Sequence, residues 1–141
     1  MSIRIYYDST GYRLRDSRKI KKIIEKVIRG EKRIPGDLSF ILTSDSELKK
    51  INREFLGRDY YTDVIAFDYG EGETVKGEVY ISRDTVQKNA NNYKVSLRNE
   101  LIRVILHGTL HLCGYKDKSN AQKDKMRRTE DKWLREYFRK G

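Results

Sequence analysis

The only two histidines of this chain lie four residues apart, in a segment that is apolar on most sides. On a helix this spacing places His107 and His111 on one face, about 40° apart around the axis, so their ring nitrogens can converge on one metal ion. A buried imidazole without a partner costs roughly 1–3 kcal/mol, so each ring needs one. The segment therefore predicts a buried helix carrying either half of a metal site or two hydrogen-bonded core histidines. Its aliphatic side chains are Leu101, Ile102, Val104, Ile105, Leu106, Leu110 and Leu112.

The residues after the second histidine favour the metal interpretation. Gly114 is typical of a helix end in the left-handed conformation, and the reversing chain can return the Asp117 carboxylate to the histidine face. Two imidazoles and one carboxylate leave the fourth position of a tetrahedral ion to water, which is the arrangement of catalytic zinc. We therefore expect one divalent ion, with zinc as the expected metal. Cys113 competes as a ligand, but it lies about 200° around the helix from His111, so we expect it to be buried as a small apolar residue.

Apolar periodicity and capping residues divide the chain into four strands and five helices. Strands are predicted over residues 3–7, 38–42, 62–69 and 76–81. Helices are predicted over 17–30 with Ser17 as the cap, after the caps Ser44 and Ser96, from the cap Ser82 to about Tyr93, and over 120–138. Pro35-Gly36 is interpreted as a turn, and the run Val64 to Phe67 is apolar on both faces, which predicts a central strand. The last two strands should pair as a hairpin. The pattern predicts an α+β (mixed α/β) domain with a small mixed four-stranded sheet packed by helices.

Two of the predicted helices have defined buried sides. In the helix after Ser44, the spacing of Leu48, Ile51 and Phe55 places these three side chains inward. The last helix should bury Met126, Trp133, Leu134 and Tyr137.

Length and composition predict one domain over residues 1–141. A domain of this size buries roughly 68–70% of its unfolded surface, which is enough for a core without disulfides. The single cysteine excludes an intramolecular disulfide, and no apolar run approaches the roughly 18 residues of a membrane span. The first eight residues lack the hydrophobic core of a signal peptide. We therefore expect a cytoplasmic monomer with no membrane contact and no small-molecule cofactor.

Charge indicates a polyanionic partner. The chain has 31 Lys and Arg against 21 Asp and Glu, a net charge of +10. Such a surface attracts RNA at long range, although many small proteins are basic for solubility alone. The basic residues cluster at 18–22, 29–33 and 116–128, and the last cluster should lie beside the metal site. Four tyrosines are candidates for stacking on unpaired bases or, alternatively, half-buried residues with solvated hydroxyls: Tyr60, Tyr61, Tyr69 and Tyr93.

The run His-Gly-Thr-Leu-His-Leu-Cys-Gly-Tyr, from His107 to Tyr115, closely resembles the zinc motif of the YbeY family of bacterial endoribonucleases. The stretches Asp59 to Phe67 and Gly77 to Ser82 are similar to two strands of that family, in the same order and spacing. The resemblance implies a metalloprotease-like (zincin-like) fold. It also implies cleavage of single-stranded RNA during maturation of the 3′ end of small-subunit ribosomal RNA, and ribosome quality control. The implied partners are ribosomal RNA and the small ribosomal subunit.

Among the positions that depart from the family pattern, two bear directly on the candidate site. The family usually has a third histidine where this chain has Asp117, so the ligand set here becomes His-His-Asp, which zinc accepts and which other divalent ions also suit. The family also tends to carry an arginine where Leu56 stands. Either Arg58 or Arg53 is close enough in sequence to supply that charge.

Catalytic roles follow from the chemistry that the site would perform. A divalent ion lowers the pKa of a bound water toward about 7, which makes a hydroxide nucleophile at neutral pH. Arg58 is the candidate to stabilise charge that develops on a phosphodiester. Glu100 lies seven residues before His107, so it is a candidate to orient a ring or to accept a proton, or it is an acid favoured by the helix dipole. Asp63 is interpreted mainly as a structural anchor.

Three functions are compatible with the sequence. The leading hypothesis is the metal-dependent endoribonuclease. The second is a non-catalytic ribosome-assembly factor that binds RNA and holds a structural metal. The third is a metallopeptidase, which is disfavoured because Gly108 follows the first histidine where metalloproteases place a glutamate base.

Overall fold

The computed structural model describes residues 1–58 and 62–139, which form one four-stranded sheet and five helices. The strands are β1 (Ser2–Tyr7), β2 (Ile34–Thr43), β3 (Val64–Asp68) and β4 (Thr74–Ser82). The helices are α1 (Ser17–Gly30), α2 (Asp45–Leu56), α3 (Arg83–Tyr93), α4 (Leu97–Leu112) and α5 (Asn120–Phe138). The predicted α+β class is confirmed. Asp59, Tyr60 and Tyr61 lie outside the described residues, as do residues 140–141.

The sheet is mixed, with the strand order β1-β2-β4-β3. β2 is parallel to both β1 and β4, and β3 pairs antiparallel with β4, which confirms the hairpin. The prediction that Val64 to Phe67 form a central strand is wrong, because β3 is the last strand in this order. Its apolar run has another cause: Val64 and Ala66 pack on the main core, whereas Phe67 contacts the rings of Phe55 and Tyr80 on the opposite face.

The main core lies between one face of the sheet and helices α1, α4 and α5. Alternate side chains of β2 and β4 point into it, in the two-residue period that the sequence predicts. α4 is the centre of this layer, since it packs on β3 and β4 and also against α1, α3 and α5. This position explains why the helix is apolar nearly all round and why the polar side chains on it need partners. The strand residues of this core are Leu38, Phe40, Leu42, Val75, Val79 and Ile81.

Two local predictions fail, and both failures have a physical reason. Pro35 and Gly36 do not form a turn but belong to β2. The register of β2 against β4 shifts between Pro35 and Leu38, and this bulge accommodates a proline and a glycine within the strand. In α2, Leu48 is fully buried as expected, but the side chain of Phe55 is 69% exposed. Phe55 lies in the last turn of α2, so it contacts the edge of the Phe67 ring rather than entering the core.

The expected serine caps of α2, α3 and α4 are confirmed. The prediction that Ser17 caps α1 is wrong, because Ser17 is the first residue of that helix and Asp16 at the N-cap position makes no side-chain cap hydrogen bond. The hydroxyls of Ser44, Ser82, Ser96 and Ser119 each accept a hydrogen bond from the backbone N–H three residues later. α5 has the predicted bounds and buries the four predicted apolar side chains. It also buries Glu130 on the same side, which the sequence pattern did not lead us to expect. No helix in the described part of the chain is long and apolar enough to cross a membrane.

Gly108 sets the distance between α4 and the sheet. A Cβ atom at this position would lie 2.6 Å from Cγ1 of Val79, so only glycine lets the helix approach β4 this closely. We expect Gly108→Ala to lower the free energy of unfolding by about 1–3 kcal/mol, because the extra methyl group forces α4 and β4 apart. Chemical denaturation measures this difference. The matched control is Gly11→Ala, since a Cβ at Gly11 would meet nothing within 4 Å. Equal stability of the two variants would contradict this account of the packing.

Candidate metal centre

Three ligand atoms converge where α4 ends. The chain leaves the helix through Cys113 and Gly114, whose positive φ of 103° is the left-handed conformation predicted for it. The reversal returns Asp117 to the histidine face. The Nε2 atoms of His107 and His111 are 3.0 Å apart, and each is 3.3 Å from Oδ2 of Asp117. His107, His111 and Asp117 could therefore hold a metal ion.

The other ring nitrogens determine which atoms are available to a metal. Nδ1 of His107 is 2.5 Å from a carboxylate oxygen of Glu130, and Nδ1 of His111 is 2.9 Å from the backbone carbonyl of Tyr115. An ionised carboxylate and a carbonyl can only accept, so each Nδ1 is the donor. In the neutral rings both Nε2 atoms are then unprotonated, with their lone pairs directed toward Asp117.

The separations fit a small divalent ion. Ligand atoms about 2.0–2.1 Å from a tetrahedral zinc ion are about 3.3–3.4 Å from one another, close to the three separations in this cluster. Two unprotonated nitrogens and a carboxylate oxygen at these distances repel one another unless a cation lies between them. The donor chemistry and the triangle of atoms thus both suit a metal with an open fourth position.

Glu130 links α5 to this cluster. Its carboxylate, which is 4% exposed, accepts from His107 Nδ1 and forms an ion pair with Arg103 at 3.0 Å. Arg103 also contacts Asp131 at 2.6 Å, so this arginine is shared by two carboxylates of α5. A signal for this role exists in the sequence: Glu130 follows Met126 by four residues and precedes Leu134 by four, so it is an acid on a buried apolar stripe.

Charges around the cluster shift the titration of three groups. Burial by itself lowers the pKa of His107, but the hydrogen bond and charge of Glu130, with the charges of Asp117 and Asp63, raise it above the usual value. Burial raises the pKa of Asp63, against a lowering effect of His107. Burial also raises the pKa of Glu100, although Arg103 opposes this shift.

Two cavities border the cluster, and both are lined by Asp63, His107 and Asp117. The first has a volume of about 300 Å³ and is also lined by Glu100 and by cationic residues of α4 and α5. The second has a volume of about 420 Å³ and is bordered by the end of α2 and by β3. The ligand cluster is therefore bordered by open space on two sides. The cations of the first cavity are Arg103, Lys123 and Arg127, and the second includes Arg58.

Comparison with known proteins identifies the family. The family model described as endoribonuclease YbeY matches residues 7–138. The chain belongs to the YbeY family. It is 42% identical over 126 residues to the endoribonuclease YbeY of Christiangramia forsetii, which covers 89% of this chain and 88% of the relative. It is 45% identical over 120 residues to that of Chloroherpeton thalassium, covering 85% of each.

A solved structure shows the same fold. The solution structure of TM1509 from Thermotoga maritima is 30% identical in sequence and superimposes with a TM-score of 0.65. The match covers 96% of this chain and 89% of that protein. The overall fold of this chain is therefore one already observed in solution.

The structure of this YbeY family member brings most of the predicted site residues together. Arg58 lines the second cavity beside the ligand cluster, as does Leu56, which replaces the arginine that the family usually carries. Arg53 is not among the described lining residues of either cavity. Lys123 and Arg127 confirm that the basic cluster at 116–128 lies beside the site. Asp63, which we interpreted mainly as an anchor, lines both cavities.

One predicted role belongs to a different residue. Glu100 was a candidate to orient a histidine ring, but the carboxylate that hydrogen-bonds His107 is that of Glu130. Glu100 lies in the first turn of α4, two turns before the ring, so it is too far along the axis to reach Nδ1. Its side chain is 5% exposed and lines the first cavity, where it remains a candidate for proton transfer.

Cys113 is separate from the cluster, as expected. Its side chain is partly buried against the core, and burial raises the pKa of its thiol to about 12. A thiol with this pKa stays protonated at neutral pH and is a poor metal ligand. Of the two described tyrosine candidates, Tyr93 lines the first cavity, whereas Tyr69 donates a hydrogen bond to Glu78 on the sheet.

Proposed function

We propose that this chain is a metal-dependent endoribonuclease that cleaves single-stranded RNA. We further propose that residues 1–141 act as one catalytic domain in the cytoplasm, on the 3′ end of small-subunit ribosomal RNA and in ribosome quality control, in contact with the small ribosomal subunit. The observation that carries the proposal is the convergence of two histidine nitrogens and the Asp117 carboxylate within 3.3 Å, at the border of two cavities with cationic residues. Membership of the YbeY family supports it.

Zinc is the metal that we propose for His107, His111 and Asp117. Two imidazoles and one carboxylate form a set of three protein ligands that zinc uses in hydrolytic enzymes, although the carboxylate makes the set harder than three histidines. When bound, a divalent ion lowers the pKa of a coordinated water and so supplies the nucleophile for hydrolysis at neutral pH. Glu130 and the carbonyl of Tyr115 fix the two ring orientations on which metal affinity depends.

Cationic side chains give the cavities a preference for phosphate. Lys123 and Arg127 on one side and Arg58 on the other can bind phosphates that flank the scissile bond. We propose that Arg58 also stabilises the negative charge that develops on the non-bridging oxygens of the scissile phosphate during cleavage. The raised pKa of Glu100 makes it a better proton carrier near neutral pH than an ordinary glutamate, so we propose that it transfers a proton within the first cavity.

Peptide hydrolysis fits the site less well than RNA cleavage. Metalloproteases of the His-Glu-x-x-His type use the residue after the first histidine as their base. Here that residue is Gly108, and Val79 leaves no space for a side chain in its place. The base would have to come from elsewhere in the site.

A binding role without cleavage is the second candidate. It is favoured by Leu56, an apolar residue that lines the second cavity where the family usually places an arginine. If no other side chain replaces that charge, the protein would bind ribosomal RNA and hold a structural metal. Arg58 therefore decides between the two functions.

Arg58→Ala separates these functions experimentally. Loss of one donor to a developing oxyanion typically costs about 10²–10³ in kcat, so we expect single-turnover cleavage of single-stranded RNA to fall by that factor. RNA affinity should change only a few-fold, because Lys123 and Arg127 remain. Rapid-quench cleavage assays and filter binding measure the two quantities on the same zinc-loaded protein.

Arg53→Ala is the matched control, since it removes the same side chain from the same part of the chain. We expect it to leave the cleavage rate within a few-fold of wild type. Loss of cleavage in Arg53→Ala alone would transfer the role to Arg53. Wild-type protein that binds RNA and zinc but never cleaves would contradict the endonuclease proposal and support the assembly factor.

A further inference from the structure

The exposed side of α1 concentrates half of the net charge of the protein. Ser17–Gly30 contains six basic residues and one acidic residue, a net charge of +5 out of the +10 of the whole chain. Its apolar side is buried, so the charges lie together on the solvent side of one helix. We call this surface the basic ridge, and its residues are Arg18, Lys19, Lys21, Lys22 and Lys26.

Acidic side chains neutralise only part of this charge. Glu25 pairs with Arg29, Glu136 of α5 pairs with Lys26 and Arg139, and Asp16 before α1 pairs with Arg98, so these three carboxylates are already shared with cations. Within residues 1–58 and 62–139, Arg18, Lys21 and Lys22 form no ion pair. A surface cation that forms no ion pair is available to a polyanion, and three in two helical turns favour multivalent contact.

The basic ridge stands between two grooves. One groove, between α1 and α5, has a volume of about 420 Å³, and Lys19, Lys22 and Lys26 line it. The other, on the β1 side of α1, also has a volume of about 420 Å³ and is lined by Arg18, Lys21 and Lys22. A projecting ridge of cations with a groove on each side suits the two phosphate strands of a folded nucleic acid.

Other anionic partners fit this surface less well. A membrane-binding helix needs an apolar side to insert, but the apolar side of α1, including Ile24 and Val27, is buried in the core. Unpaired RNA is usually bound through bases stacked on exposed aromatic rings. The aromatic ring in the α1–α5 groove, Tyr137, is buried and is covered by the Lys19 ammonium 4.5 Å from its centroid. The remaining partner that fits this surface is base-paired RNA, contacted through its sugar-phosphate backbone.

The basic ridge lies far from the metal centre. α5 reaches both places: Lys123 near its start lines the first cavity, and Glu136 near its end lines the α1–α5 groove. Thirteen residues of α-helix span about 20 Å, so one RNA segment at the metal centre and another at the ridge would be separated by roughly that distance. A folded RNA with a single-stranded end can bridge it.

We infer that the basic ridge of α1 is a second RNA-binding surface, which holds the phosphate backbone of a base-paired segment while a single-stranded segment occupies the metal centre. The inference rests on the proposed function, since it assumes an RNA substrate. It explains how a cavity that contacts few nucleotides could select a single-stranded end next to a particular folded structure.

The test uses two RNA probes and two charge variants of the full chain. One probe has a base-paired stem followed by a single-stranded 3′ tail, and the other is the tail alone. The ridge variant is Arg18→Gln/Lys21→Gln/Lys22→Gln. The matched control, Lys50→Gln/Lys88→Gln/Lys94→Gln, removes three charges elsewhere on the exposed surface. Affinity is measured over a range of salt concentrations, and cleavage of both probes is measured with zinc-loaded protein.

We expect the ridge variant to bind the stem-and-tail probe at least roughly tenfold more weakly than wild type. The slope of the logarithm of affinity against the logarithm of salt concentration should become less steep by about one for each phosphate that the variant no longer neutralises. Affinity for the tail and its cleavage rate should be unchanged. Equal decreases in the control variant, or unchanged affinity of the ridge variant for the stem-and-tail probe, would overturn the inference. Wild-type protein that binds neither probe would instead contradict the proposed function.

Discussion

His111→Ala is expected to weaken zinc binding by more than about 100-fold and to reduce RNA cleavage to background. Loss of a residue that merely supports a ligand costs roughly 10–100-fold in metal affinity, so loss of a direct ligand should cost more. Only His107 and Asp117 would remain, and the 3.0 Å pair of ring nitrogens would be broken. Isothermal titration with zinc and a cleavage assay on the same samples measure both effects.

The fold should survive this substitution. The side chain of His111 is partly exposed, and α4 is held by an aliphatic core that does not involve the ring. Far-UV circular dichroism and thermal unfolding of the metal-free proteins separate a folding defect from a binding defect. Asp124→Ala is the control, since Asp124 is an exposed carboxylate of α5 and is not among the residues that contact the two histidines or Asp117. Zinc affinity within a few-fold of wild type in His111→Ala would show that this ring is not a ligand.

Glu130→Gln is expected to reduce zinc affinity and cleavage by roughly 10–100-fold although Glu130 is not proposed as a ligand. Glutamine has nearly the same shape, but it lacks the charge that holds the His107 ring and pairs with Arg103. A loss of zinc affinity in Glu130→Gln would therefore result from the missing negative charge and not from a change in side-chain packing. Glu136→Gln makes the same change on the same helix in contact with Lys26, and we expect it to leave zinc affinity unchanged.

The titration of His107 gives this prediction a second readout. In the metal-free protein Glu130 is a main cause of the raised pKa of His107, and burial acts in the opposite direction. Glu130→Gln should therefore lower that pKa, as measured by NMR titration of the two imidazole rings. Because a metal binds only the neutral ring, zinc affinity of wild type should fall as the pH falls through the raised pKa of His107. An unchanged His107 pKa in Glu130→Gln would contradict the role assigned to the carboxylate.

Local pattern was enough to predict most elements of this fold. The bounds of α5 and the serine caps of α2, α3 and α4 follow from short-range signals, namely an apolar stripe and a side-chain acceptor before it. The position of β3 in the sheet could not be predicted in this way. An apolar run indicates that both faces of a strand are covered, but it does not indicate which strands pair with its two edges. The predicted turn at Pro35 was wrong for the same reason, because the bulge in β2 depends on the pairing of β2 with β4.

In the candidate site, too, local features could be predicted from the sequence, whereas contacts between distant segments could not. The spacing of His107 and His111 on one helix and the turn at Gly114 place the three ligand atoms together by local geometry alone. Glu130 is 23 residues from His107 along the chain and reaches it only because α5 packs across α4. Glu100, which shares a helix with the histidines, was the better candidate from sequence, although the helix rise keeps it about 10 Å away along the axis.

The most direct test of the metal centre is to measure bound metal and RNA cleavage in the same samples of wild type and Asp117→Ala, after chelation and the return of zinc, manganese or magnesium singly. We predict that wild type binds one zinc per chain, that cleavage returns in proportion to bound zinc, and that Asp117→Ala loses both. Cleavage that persists in fully chelated wild type, or full zinc occupancy with undiminished cleavage in Asp117→Ala, would contradict the assignment of a catalytic metal to His107, His111 and Asp117.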